Sequence, residues 1–249
     1  MNAENSISKS IRILKALAEG TERIADICNQ LNLSKGTVHR LLKTLETNGF
    51  VIQEPTTRGY HLAPLFVDLA SRPIAAHNWL IVSALGGMNR LRSLTKETVV
   101  LHVRIGLERI CISEVESKEE IKYTAGVGSM APIYVGSAGK MLLAELEEKQ
   151  LVVIMNHLVL QQVGPNTITD KLLLLEELAT VRKQGHAVSE GERIREATGI
   201  SVPIKNYICP VALSVLGPKD RFGPVKMSIL PEMIETGHTI SKNLIGQGN

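Results

Sequence analysis

Apolar residues recur at three- and four-residue spacing from the start of the chain. Ile7, Ile11, Leu14 and Leu17 form one helical face, and Glu19-Gly20 ends that helix. Thr21 is placed to cap a second helix, with Ile24, Ile27, Cys28 and Leu31 inward. Asn32-Leu33 makes a tight turn. Ser34 then caps a third helix carrying Val38, Leu41, Leu42 and Leu45, and Asn48-Gly49 supplies its stop. Phe50–Ile52 and Tyr60–Leu62 are short strands around the turn Pro55–Gly59. The order is helix, helix, helix, hairpin. Ser71-Arg72-Pro73 breaks the pattern, and a second helical stripe follows over 74–92, on Ile74, Trp79, Val82, Leu85, Met88 and Leu91. Gly86-Gly87 inside it costs helix stability, so a kink or break is expected there.

From Glu97 the period changes to two. Val99, Leu101 and Val103 alternate with Thr98, Val100, His102 and Arg104, and Ile110-Cys111-Ile112 returns after the turn at Gly106. Helices are predicted over 137–147, 148–157 and 169–184, and a central strand over Val211–Leu216. The pattern predicts an α+β chain with three parts. A winged helix-turn-helix spans 1–72, a connecting helix 73–94, and an antiparallel-sheet domain 95–249.

The third helix has a second face, carrying Lys35, Gly36, Thr37, His39, Arg40 and Lys43. Three side chains from Ser34 to Leu45 are positive and none is negative. Such a helix start can enter a DNA major groove, while Arg58 in the wing reaches a phosphate or the minor groove. The candidate DNA-binding residues are therefore Ser34, Lys35, Gly36, Thr37, His39, Arg40, Lys43 and Arg58. Bulk charge adds little: residues 1–72 hold nine Lys/Arg and seven Asp/Glu, and the whole chain is +3.

Composition removes other classes. With 44% hydrophobic and 21% charged residues in 249, the chain can bury a core. Aromatics are 3%, too few for a base-stacking platform on single strands. No apolar run approaches a membrane span, and the polar start MNAENSISKSIRILK has no signal-peptide core. Three scattered cysteines argue against a disulfide framework or a zinc site, and a reducing cytoplasm is the expected setting.

Three motifs imitate catalysis or cofactor binding. Gly126–Ala131 fits a loose dinucleotide fingerprint, but Pro132 follows where a helix must propagate. Gly136–Lys140 imitates the end of a phosphate loop, but Tyr134 and Met141 occupy the positions that need Gly and Ser/Thr. Glu190, Glu192 and Glu196 cluster without a nucleophile or positioned histidine. No enzyme activity, metal or cofactor is expected, although an enzyme carrying a DNA-binding appendage is the rival reading. His102, on a strand, reads as a satisfied sheet residue.

The stretch LSKGTVHRLLKTLETNGFV (Leu33–Val51) resembles the winged helix-turn-helix of IclR-type bacterial transcription regulators. GSMAPIYVGSAGKMLLA (Gly128–Ala144), EGERIREATGISVPI (Glu190–Ile204) and CPVALSVLGP (Cys209–Pro218) resemble the effector domain of the same family, in the same order. The resemblance implies a GAF-like sensor fold, a dimer or tetramer paired through the connecting helix, operator DNA as partner, and a small organic acid as effector. It places effector-lining positions at Tyr123, Ala131, Ser137, Ala138, Glu192, Ile200, Val202, Ser214 and Leu216. Amides at the helix start of Ser137-Ala138 are suited to a carboxylate. Family members that bind very small keto acids carry Cys at the position of Val202 and Ser at that of Leu216. The expectation here is a drier pocket and a larger acid with an apolar or aromatic body.

Overall fold

The computed structural model describes residues 5–70 and 76–245. The chain divides into two compact units, Met1–Ala76 and His77–Asn249, each with its own core. The expected break at Ser71-Arg72-Pro73 and the first residue of the second stripe, Ile74, lie outside the described residues.

The first unit holds α1 (Ser6–Ala18), α2 (Ile24–Leu31), α3 (Lys35–Thr47), β1 (Val51–Gln53), β2 (Tyr60–Leu62) and α4 (Leu65–Ala70). Asn5 starts α1, its side chain accepting from the Ser8 amide at 2.8 Å. The buried face of α1 is Ile13, Ala16 and Leu17, while Ile7 and Ile11 stand 70% and 48% exposed. The helix carries two apolar stripes, and only the Ile13–Leu17 one joins Val38, Leu41 and Leu42 in the core. Thr21 does not cap α2. Arg23 holds that position without a side-chain hydrogen bond. Asn32 closes α2 in the left-handed conformation at φ 52°, which lets the Leu33 amide bond the Cys28 carbonyl at 3.1 Å. Strand β1 pairs antiparallel with β2, Val51 opposite Leu62.

The second unit begins with α5 (Asn78–Thr95), so most of the expected connector is a packed element of this unit. Its strands are β3 (Thr98–Ile105), β4 (Glu108–Val115), β5 (Met130–Pro132), β6 (Ala187–Glu190), β7 (Ala197–Ile204) and β8 (Val211–Pro218). They form one antiparallel sheet in the order β5-β4-β3-β8-β7-β6. The remaining helices are α6 (Gly136–Ala144), α7 (Glu148–His157), α8 (Lys171–Gln184), α9 (Lys219–Phe222) and α10 (Leu230–Ile245). Helices α5 and α10 cover one face, where Leu80, Ala84, Met88 and Leu91 meet Val211, Leu213 and Val215. Helices α6, α7 and α8 cover the other, where Ala212 joins Leu142, Leu151 and Leu174. Alternate residues of β8 thus enter opposite cores, as the strand period requires.

Helix α5 runs unbroken through Gly86-Gly87. A Cβ on Gly87 would lie 2.6 Å from Cγ2 of Thr236, so this glycine admits α10 at close range rather than kinking the helix. Outward, Trp79, Val82 and Leu85 are exposed. Sequence periodicity had grouped them with the inward Met88 and Leu91.

Candidate functional site

In the first unit, Ser34 accepts from the Thr37 amide at 3.3 Å and pairs with the Thr37 hydroxyl at 2.9 Å. This cap contributes about 1 kcal/mol and fixes where α3 starts. Lys35, Gly36, His39, Arg40 and Lys43 are exposed, and Thr37 is half-buried beside them. They share one side of α3 because Val38, Leu41, Leu42 and Leu45 hold the opposite side in the core. Lys43 is not a free cation. Glu46, one turn on, pairs with it at 2.7 Å and raises its pKa. Arg58 sits at the tip of the wing with φ 60°, held by a bond from Gln53 Nε2 to its carbonyl at 3.2 Å. The wing closes through Glu54 N to Gly59 O at 2.8 Å.

In the second unit, a cavity of about 80 Å³ lies between the α6 start, the sheet, and the segments 123–125 and 192–197. Of the candidate effector residues, Tyr123, Ser137, Ala138, Glu192, Ser214 and Leu216 line it. Ala131, Ile200 and Val202 do not. Ala131 pairs with Arg109 on β5 at the sheet edge, and Ile200 and Val202 point into the α5–α10 core. The reason is the strand period. Ser201, between them, faces α6, so its neighbours must face away. Of the two residues behind the expectation of a dry pocket, Leu216 lines the cavity and Val202 is core. With a volume about half the ~150 Å³ that holds a benzene ring, this cavity suits a short acid better than an aromatic one.

The polar groups around it are largely matched to one another. Ser201 Oγ donates to Ser137 Oγ at 2.8 Å and meets Ser214 Oγ at 2.7 Å. One hydroxyl has one proton, so Ser214 is the donor to Ser201, and the Ser137 proton remains for another acceptor. Glu192 is buried. It accepts from Lys140 Nζ at 2.7 Å and from the Gly136 amide at 2.8 Å. Glu192 thus caps Gly136, the first amide of α6 and one residue before the Ser137-Ala138 amides expected to meet a ligand carboxylate. Lys140 also bonds Glu177 at 2.7 Å.

The motifs that imitated other chemistry have structural roles. The amides of Ala125 and Gly126 hold the Glu114 carboxylate at 2.8 and 2.7 Å. Lys140 of the mock phosphate loop is buried in its ion pairs. Glu190 pairs with Lys226 at 2.6 Å, which lowers its pKa, so Glu190 and Glu192 serve different cations rather than one another. Among the described residues no group of three or more His, Cys, Asp or Glu could hold a metal ion, and no helix is long and apolar enough to cross a membrane.

Among the lining residues that sequence reading missed, Arg109 and His102 carry chemistry. Arg109 is buried on β4, its Nε donating to the Val135 carbonyl at 3.2 Å and its Nη1 to His102 Nε2 at 2.8 Å. Burial, then the neighbouring Arg193, lowers its pKa to about 10. It is still charged at neutral pH. His102 is not a satisfied sheet residue, because its Nδ1 is buried without a partner. Burial first, then Arg109 and Arg193, hold its pKa well below the usual value. The available signal was the sharp turn at Gly106, which brings the two strands side by side. The bulge at Leu101/His102 sets the register that puts the two side chains together, and it is invisible in sequence.

A helix-turn-helix unit with a basic exposed helix, followed by a sheet unit with a small cavity of mixed polar and apolar lining, defines a DNA-binding regulator class. The chain belongs to the IclR family of bacterial transcriptional regulators. Residues 6–55 match the IclR helix-turn-helix domain, and residues 75–242 match the bacterial transcriptional regulator IclR C-terminal domain. It is 31% identical over 245 residues to the HTH-type transcriptional repressor AllR of Escherichia coli K12, covering 96% of this chain and 90% of AllR. The crystal structure of Thermotoga maritima IclR superposes with a TM-score of 0.64 at 26% identity, over 96% of this chain and 98% of that one. An IclR homologue from Microbacterium hydrocarbonoxydans, solved with 4-hydroxybenzoate, shares the fold at 24% identity and a TM-score of 0.61, over 96% and 99%.

Proposed function

We propose that this protein is a cytoplasmic, ligand-responsive repressor, not an enzyme, that binds operator DNA as a homodimer or tetramer. Its 1–72 region reads DNA, 73–94 connects, and 95–249 senses a small organic acid. The observation that carries the DNA-binding reading is α3 itself. Its capped start displays Lys35, Thr37, His39 and Arg40 on one uncovered side, with the wing Arg58 in the same unit. Repression is the mode of the AllR relative. A short acid in the cavity shifts the equilibrium between states of different operator affinity, and the coupling is reciprocal: DNA changes acid affinity by the same factor.

Selection from a random-sequence duplex pool, then anisotropy titration of the selected duplex at several salt concentrations, tests this. Arg40→Ala is expected to weaken binding at least tenfold and to lower the salt slope by about one. Absence of any selected sequence, or unchanged affinity in the variant, refutes the assignment of α3.

A further inference from the structure

The cavity holds one buried charge that the protein leaves without an opposite partner. Lys140 has two carboxylates, from Glu177 and Glu192. Arg109 has none within ion-pair distance among the described residues, and its two protein acceptors use only Nε and Nη1. Its Nη2 faces the α6 start, 3.7 Å from where a Cβ of Gly136 would stand. A buried, unpaired guanidinium is unfavourable by several kcal/mol unless an anion joins it.

The second feature is His102. An arginine can only donate, so Nε2 of His102 must accept from it and carries no proton. The neutral ring then bears its proton on Nδ1. That N–H is buried and finds no acceptor in the protein. Both residues line the same cavity, and so does Ser137, whose hydroxyl proton is uncommitted. Uncommitted donors of Arg109 and Ser137 therefore meet a space of about 80 Å³, and the buried charge there has no carboxylate partner.

We infer that Arg109 forms the acid-binding end of the cavity: its guanidinium takes the carboxylate of a short anionic ligand, the Ser137 hydroxyl supplies a neutral donor beside it, and His102, accepting from the guanidinium through Nε2, holds it in position. This deepens the proposed effector site and rests on that reading. It adds a charged partner beside the α6 start, where Glu192 already occupies the Gly136 amide. The ligand is an anion because the buried Arg109 has no carboxylate within ion-pair distance among the described residues. A carboxylate fits because the uncommitted Nη2 of the guanidinium makes a charge-assisted hydrogen bond to one of its oxygens. The exposed Arg193 at the mouth steers anions inward without fixing them.

Calorimetric titration of the full chain with glyoxylate, pyruvate, 4-hydroxybenzoate, pyruvamide and inorganic phosphate tests this. Wild type is expected to bind a short acid and to bind its amide at least tenfold more weakly. Arg109→Met is expected to lose acid affinity ten- to a hundredfold, and Arg109→Lys to regain part of it. Nitrogen-15 spectra of free wild type are expected to show the Nδ1–H tautomer of His102, as acceptance from Arg109 at Nε2 requires.

Equal affinity for pyruvate and pyruvamide overturns the inference without any variant, so a misfolded variant cannot shield it. Undiminished acid binding by Arg109→Met overturns it, as does phosphate bound as tightly as the acids. Operator binding with no response to any acid overturns it too and leaves the DNA-binding reading standing. Loss of operator binding by wild type condemns the broader reading instead.

Discussion

Replacing Lys140 with methionine isolates the ion pair that shapes the cavity. The side chain of Lys140 is 3% exposed and that of Glu192 is 7% exposed, against 33% for Glu177. Methionine fills similar space but removes both ion pairs. Glu177 can return to water, whereas Glu192 stays buried with the Gly136 amide as its remaining side-chain partner. Removing one member of a buried pair costs roughly 3–5 kcal/mol, and the surviving amide bond places this case near about 3. With a urea m-value of about 2 kcal/mol/M, the midpoint falls by roughly 1.5 M. The single tryptophan, Trp79, belongs to the second unit, so its fluorescence reports the unit that carries the pair. Glu192→Gln leaves Lys140 with Glu177 and costs about 1–2 kcal/mol. The double variant should lose less than the sum, with a coupling above about 1 kcal/mol. A midpoint shift under about 0.3 M, or strict additivity, would refute the account of Glu192 as a carboxylate held in place by Lys140.

Three further outcomes follow from the geometry. Gly139→Ala puts a Cβ 2.0 Å from the Ile133 carbonyl oxygen, so α6 must shift; a loss of about 2 kcal/mol or more in urea unfolding is expected, and a neutral variant would contradict the packing. Cys111 is wholly buried and burial pushes its thiol up to about 12, so mass spectrometry after iodoacetamide at pH 8 under native conditions should find it unmodified, while labelling at the rate of an exposed thiol would show the β4 edge to be open. The exposed Trp79, Val82 and Leu85 of α5 need a cover, so light scattering should give a dimer or larger, and Val82→Asp should lower the mass; a wild-type monomer at micromolar concentration would refute self-association through α5.

The sequence by itself determined the local elements and the regulator class. Spacing of Val38, Leu41, Leu42 and Leu45 put the polar side of α3 outward, because a helix held by one face must expose the other. Alternation found β3, β4 and β8, which are rich in β-branched residues and buried on both sides. It did not find β5, β6 or β7, whose Pro, Gly, Ser and Thr read as loop and become strands by pairing with neighbours already in place. Only tertiary structure decided which of two apolar stripes on α1 and α5 faced inward, since periodicity fixes the angle between side chains and not the direction of the partner. It also decided the cavity wall. Val202 and Leu216 looked equivalent as apolar residues on strands, but the pairing of Ser201 with Ser214 and Gly199 with Leu216 puts Leu216 on the cavity side and Val202 in the opposite core. The charge of Arg109 and the orphan proton of His102 belong to this second kind of information. Seven residues apart on two strands, they become one site through a turn and a bulge, and a buried charge gains meaning only from what the fold does or does not place beside it.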